Sequence, residues 1–242
     1  MIYLYYLVFF AIALIYSSVG LAGGSAYVGF LALFSVEPRF IPSTAQFLNV
    51  VVSLIAFFNY KVHLNIKRKS IIPTFLLAIF GVILGSNLKL KESEFFIILG
   101  LSLILAALAS FIKDFIPTLK FRISESVVPF ISFALGFLTG VVGIGGGIFL
   151  SPILLLANFP VKEIASITSV YILLNSSAGF IINYFRGNVN FSLVLPFSLS
   201  VLIGGFLGSY LGSFKFAPKV VRKILITIII IIGGKILWRG IT

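Results

Sequence analysis

Two clusters of glycine stand in the middle of apolar sequence, and each precedes a segment rich in hydroxyl and amide side chains. The first cluster is Gly20, Gly23 and Gly24, with Ser25 directly behind it; the second is Gly143, Gly145, Gly146 and Gly147. The side chains that follow are Thr44, Gln46, Asn49 and Ser53 in the first half, and Thr168, Ser169, Tyr171, Asn175, Ser176 and Ser177 in the second. These types suit the holding of an anion. A helix that restarts after glycine offers free N–H groups and about half a positive charge at its N-terminus. An oxyanion can be held there without burying a lysine or arginine, whose own desolvation is costly. Glycine also lets the guest approach the backbone closely. Thr168, Tyr171 and Asn175 follow an i, i+3, i+7 spacing and share one helix face. The substrate-binding set read from the sequence is therefore Gly20, Gly23, Gly24, Ser25, Thr44, Gln46, Asn49, Gly143, Gly145, Gly146, Gly147, Thr168, Tyr171 and Asn175.

Other chemistries lack their residues. The chain has no cysteine, which removes disulfides and thiolate sites, and its single histidine, His63, lies in a basic loop. A serine nucleophile would lack a histidine base, and a metal centre would lack a ligand cluster. The six carboxylates, Glu37, Glu92, Glu94, Asp114, Glu125 and Glu163, all fall at segment ends or in loops, so none is placed to relay protons within a bilayer. The expectation is a non-enzyme with no catalytic residue, no metal and no cofactor.

The elements that must position these residues are membrane helices. Of the 242 residues 60% are hydrophobic and only 10% charged, too few polar groups to cover a water-facing surface. Mean hydropathy is +1.21. Apolar runs fall at about 2–35, 42–60, 71–88, 94–112, 126–158, 163–185, 191–213 and 219–238. Six have ordinary spanning length. The first and fifth exceed 30 residues, too long for a hydrocarbon core of about 30 Å, and each carries a glycine cluster near its middle. Irregular backbone at membrane depth survives only against protein or a water-filled cavity, so a doubled break is the pattern of a transporter's substrate site. The net charge of +12 sits at segment ends, which fits loop orientation and lipid headgroups and not nucleic acid. The N-terminus lacks a basic n-region and is read as the start of the mature protein.

The halves repeat. At a shift of 123, Gly20, Gly23 and Gly24 meet Gly143, Gly146 and Gly147; at 124, Thr44, Ser53, Asn59 and Tyr60 meet Thr168, Ser177, Asn183 and Tyr184; at 123 again, Pro73, Gly81, Gly85 and Ser86 meet Pro196, Gly204, Gly208 and Ser209. The reading is one membrane domain, 1–242, made of a first repeat at 1–118 and a second at 119–242. If all eight segments cross, the basic residues divide 8 to 10 between the two sides. If the first and fifth dip in and return, one side collects Lys61, Lys67, Arg68, Lys69, Lys113, Lys120, Arg122, Lys162, Lys215, Lys219, Arg222 and Lys223, and the other keeps six. The second division carries an orientation signal. Each repeat is then a re-entrant broken-helix hairpin plus three transmembrane helices. The repeats are inverted, both termini are extracytoplasmic, and the fold class is an all-α polytopic membrane protein.

Gly143-Ile144-Gly145-Gly146-Gly147 followed by Ser151-Pro152-Ile153-Leu154, with Ala165-Ser166-Ile167-Thr168-Ser169 and Asn175-Ser176-Ser177 in the next segment, resembles the TauE/SafE family of sulfite-exporter-like permeases. The first copy departs from this pattern, with Ala22 where the second has Gly145 and Gly29 where it has Pro152. The resemblance spans the chain. It implies export or uptake of small sulfur-containing anions such as sulfite or organosulfonates by a secondary transporter, read here as an exporter, sitting multi-pass in the plasma membrane. A passive channel for small anions or weak acids is the alternative. The expected partners are the anion and the lipid bilayer, with no nucleic acid; a homodimer is compatible with the sequence, although no stripe marks its interface.

Overall fold

A computed structural model describes residues 2–65, 69–112, 122–214 and 219–242. Among these residues the chain forms ten α-helices: α1 (Ile2–Ser17), α2 (Gly24–Leu33), α3 (Ile41–Tyr60), α4 (Ile71–Ser86), α5 (Glu92–Ile112), α6 (Val128–Val142), α7 (Gly147–Leu156), α8 (Val161–Phe185), α9 (Phe191–Phe214) and α10 (Lys219–Ile241). Five stretches are long and apolar enough to cross a membrane: Pro38–His63, Glu92–Phe111, Glu125–Val142, Val161–Phe185 and Phe191–Gly212. The protein is an all-helical, multi-pass membrane protein. Of the basic residues used to orient it, Lys67, Arg68, Lys113, Lys120 and Lys215 lie outside the described residues, as does Asp114.

Local chemistry sets the helix starts. Prolines at the first positions open α3 and α6, where a missing N–H costs nothing. Pro160, in extended conformation, precedes α8. Glu94 reaches back to the Lys91 amide at 2.9 Å and caps α5.

The two overlong segments are broken at the glycine clusters. Gly20 and Gly23 have φ of 75° and 97°; Gly143, Gly145 and Gly146 have φ of 82°, 83° and 73°. Only glycine enters this region without a Cβ penalty, so α1 and α6 end there and α2 and α7 restart beyond it. The ends of each broken segment lie together. The Ile123 amide donates to the Leu156 carbonyl at 3.2 Å, and the Tyr5 ring lies tilted against Phe34 with centroids 4.1 Å apart.

Packing between the halves is reciprocal. Helix α1 lies along α9 and α6 along α4; α3 crosses α8, and α5 lies along α10; α2 touches α10, and α7 touches α5. Gly81 and Gly85 pack on the backbone of Phe133 and Phe137, while Gly204 and Gly208 pack on that of Phe10 and Leu14. These are close helix contacts that a Cβ would prevent. The centre of the bundle is polar: Thr44, Gln46, Asn49 and Ser53 on α3, and Thr168, Ser169, Asn175 and Ser176 on α8, are all at most 1% exposed. Its perimeter is apolar, with Phe80, Phe130, Leu199 and Phe206 among the exposed residues. A polar centre within an apolar rim is the arrangement that a bilayer solvent selects.

Candidate anion site at the helix breaks

The restarted helices α2 and α7 begin against one another. Gly24, the first residue of α2, lies on the Ile144 carbonyl and the Asn49 amide; a Cβ there would overlap the carbonyl. Gly147, the first residue of α7, lies on Ile172 and Leu21. In α2 the amides of Ala26 and Tyr27 turn back to the Gly23 carbonyl, both at 3.0 Å. In α7 those of Phe149 and Leu150 turn back to Gly146, both at 3.1 Å. The preceding amides, of Gly24 and Ser25 and of Gly147 and Ile148, find no acceptor among the described residues. Two pairs of buried, unspent N–H groups at two helix N-termini favour negative charge.

Between them is a cavity of about 10 Å³, bounded by Tyr16, Gly23, Gly24, Asn49, Ile144 and Gly147, among others. That is room for about one water. A sulfur oxyanion needs several times more, so this conformation is closed around the site.

The sequence-predicted residues separate into groups. Gly23, Gly24, Ser25, Asn49 and Gly147 border the cavity, and Gly145 sits against the Asn49 amide. Asn49 Nδ2 donates to the Gly143 carbonyl at 3.3 Å, while its Oδ1 has no partner. Gly20 and Gly143 are packing points, pressed on the backbones of Ala165 and Pro42. Gly146 lies beside Thr139 and Tyr171. Gln46 is fully engaged, donating to the Thr139 carbonyl at 3.3 Å and accepting from Asn183 at 3.1 Å. The Thr168 hydroxyl lies 2.7 Å from the Ile164 carbonyl of its own helix and 3.1 Å from that of Gly20, so its one proton is shared chiefly within α8 with the first break in reach. Tyr171 donates to the Ser132 carbonyl at 3.2 Å. The shared face of Thr168, Tyr171 and Asn175 is buried, but its three polar groups do not converge on the cavity. Thr44 Oγ1 and both amide atoms of Asn175 are buried without a hydrogen-bond partner. A desolvated polar group without a partner is costly, so each is a standing donor or acceptor for a polar guest.

Other residues join the site that sequence patterning does not single out. Tyr16 faces Ser25, with Oη and Oγ 3.2 Å apart, and the buried Tyr27 hydroxyl has no partner. The available signal was the position of Tyr27, one turn into a helix that opens on glycine. A second cavity, of about 710 Å³, opens beside the start of α3 and the ends of α4 and α8; Pro42, Ser86, Gly140, Val141 and Asn183 line its inner part. Arg39, Lys89 and Arg186 line it with Glu37 and Glu92. Arg39 pairs with Glu37 at 2.8 Å and Arg239 with Glu92 at 3.4 Å. Arg186 donates to the Ser86 carbonyl and, at 2.5 Å, to Asn87 Oδ1. Both lining carboxylates are thus matched, and the vestibule is electropositive. No group of three metal-ligating side chains occurs among the described residues.

Residues 5–236 match the family model for Sulfite exporter TauE/SafE. The chain belongs to the TauE/SafE family. It is 30% identical over 237 residues to the "Probable membrane transporter protein y4hK" of Sinorhizobium fredii, a match covering 95% of this chain and 96% of that protein. No solved structure matches. The family and this relative place the chain among membrane transporters.

Proposed function

We propose that this TauE/SafE protein is a secondary transporter that exports small sulfur-containing oxyanions, sulfite or an organosulfonate, across the plasma membrane. The anion binds between the N-termini of α2 and α7. The observation that carries this reading is the meeting of two unspent amide pairs, Gly24–Ser25 and Gly147–Ile148, at one buried cavity. The vestibule, lined by cations of the extracytoplasmic side in this topology, is the release route, and its excess positive charge draws the anion toward that face. The 1–118 and 119–242 halves act as inverted repeats. Each broken segment enters and leaves the bilayer on one face, which the Ile123–Leu156 bond and the Tyr5–Phe34 ring contact support. Both termini are then extracytoplasmic.

A carrier is favoured over an open pore because the cavity at the breaks, about 10 Å³, cannot conduct an anion without a conformational change. The test is counterflow in proteoliposomes loaded with sulfite. Labelled sulfite uptake should be accelerated by unlabelled sulfite on the opposite side. Flux without such trans-stimulation would identify a channel, and no flux of sulfite or any sulfonate would remove the substrate class.

A further inference from the structure

The repeat relates two sets of residues that the structure treats differently. By the shift of 124, Asn59 and Tyr60 correspond to Asn183 and Tyr184. By the shift of 123, Ser209, Ser18 and Gly212 correspond to Ser86, Val141 and Lys89. At the end of α3 the first set is closed. Asn59 Nδ2 donates to Ser209 Oγ at 2.7 Å. The Tyr60 hydroxyl donates to the Ser18 carbonyl at 3.0 Å, and the residue is only 4% exposed. Gly212 presses so closely on the Ser18 backbone that a Cβ would overlap it.

At the end of α8 the Asn183 and Ser86 side chains do not bond each other, and the two helix ends are bridged instead by Arg186, which donates to the Ser86 carbonyl and to Asn87 Oδ1. Asn183 and Ser86 both line the vestibule, yet each bonds elsewhere: Asn183 to Gln46 Oε1 and to the Gly179 carbonyl, Ser86 to the Gly140 carbonyl. Val141 lines the same space, and Tyr184 is 51% exposed, with its ring against Phe185 and Phe191. Lys89 stands in the vestibule where its counterpart is a glycine packed on backbone.

We infer that Asn59–Ser209 and Asn183–Ser86 are the alternating gate pairs of the transport cycle, one bonded while the other is open. This rests on the carrier reading above. Two copies of one structural unit, each with a closed and an open arrangement, give two mirror-related states of the whole protein. A single hydrogen bond shifts such an equilibrium by about five-fold, enough to bias a gate without locking it. The asymmetry at Lys89 and Gly212 sets the resting state. Bringing the vestibule walls together would desolvate an ammonium, whereas the far end closes on a glycine.

The chain's lack of cysteine makes the test direct. The double variants N59C/S209C and S86C/N183C are treated with a short bifunctional thiol reagent in membranes without added anion. The first should cross-link readily and the second slowly. Adding S209A to S86C/N183C should speed its cross-linking about five-fold, because loss of the far bond populates the vestibule-closed state; N59A in the same background should act alike. Equal cross-linking of the two double variants overturns the gate, as does an S86C/N183C rate indifferent to both S209A and N59A. Sulfite flux in proteoliposomes separates the readings. Flux that survives cross-linking of either pair overturns the gate and leaves the transporter standing. The expected cross-linking pattern in a protein that moves no sulfite supports the gate and removes the substrate.

Discussion

Asn49 on α3 donates to the carbonyl of Gly143, so a side chain of the first half caps the helix break of the second. Its other amide atom, Oδ1, is buried without a partner beside the small cavity. With only its Oδ1 end free, Asn49 reaches an anion by releasing Nδ2 from the Gly143 carbonyl, whereas Gln46, one turn earlier, has both ends committed. Asn49→Ala should raise the KM for sulfite about ten-fold, the loss of one hydrogen bond to a charged group. Gln46→Ala should instead lower thermal stability by about 1–3 kcal/mol, because Asn183 and the Thr139 carbonyl lose a buried partner. Flux kinetics and thermal unfolding of both variants check the contrast. An Asn49→Ala protein with unaltered KM would remove that residue from the site.

At Gly146 the φ of 73° excludes most L side chains, and a Cβ would lie 2.9 Å from both Thr139 Oγ1 and the Tyr171 ring. Gly146→Leu should abolish flux while the protein still inserts, because the distortion falls on the restart of α7 and leaves the spanning helices intact. Flux in liposomes and a monodisperse size-exclusion profile are the two measurements. Wild-type flux would dissociate the second break from binding.

Much of this arrangement was legible in the residues. The runs at 42–60 and 163–185 became α3 and α8 within two residues at either end, since charge and proline bound them on both sides. The breaks were legible because a 30-residue apolar run has no other way to fit a bilayer. Hydrogen-bond partners were not. Thr168 sits in the expected helix, but its hydroxyl meets the Gly20 carbonyl, 148 residues away in the chain, and no local pattern encodes that contact. Tyr16 and Tyr27 were hidden by composition, since an aromatic residue in a membrane segment looks like packing or an interfacial anchor. The vestibule was invisible for a related reason. Lys89 and Arg186 carried a topological meaning in the sequence, and only the meeting of α4 and α8 gives them a shared wall.

Thr168 itself can be tested on this basis. Its hydroxyl is bonded to carbonyls of Ile164 and Gly20 and not to the cavity, so Thr168→Ala should cost about 1 kcal/mol of stability, with KM changing less than in Asn49→Ala. Thr168→Ser should restore the loss. A large KM increase without destabilisation would place the hydroxyl on the anion instead.

Lys89 faces the vestibule among matched ion pairs, so its charge acts on the approaching anion through solvent. Lys89→Gln should slow sulfite uptake at low substrate concentration several-fold in dilute buffer. The difference should shrink as ionic strength rises and the Debye length falls to about 8 Å. Initial rates over a salt series check this. A salt-independent difference would assign Lys89 a packing role.

The orientation of the hairpins is open to chemical labelling in a chain without native thiols. Asn65, beyond the end of α3, and Ser93, at the start of α5, are both exposed. If α1–α2 and α6–α7 each return to the face they entered, the six-cation side is extracytoplasmic, with Ser93 on it and Asn65 opposite. A membrane-impermeant maleimide applied to intact cells should then label Ser93→Cys and spare Asn65→Cys until the membrane is permeabilised. The reverse pattern would invert the protein and point the vestibule toward the cytoplasm, which would make that cavity the loading side for export. The side of the membrane that the vestibule faces therefore turns on which of these two cysteines reacts first.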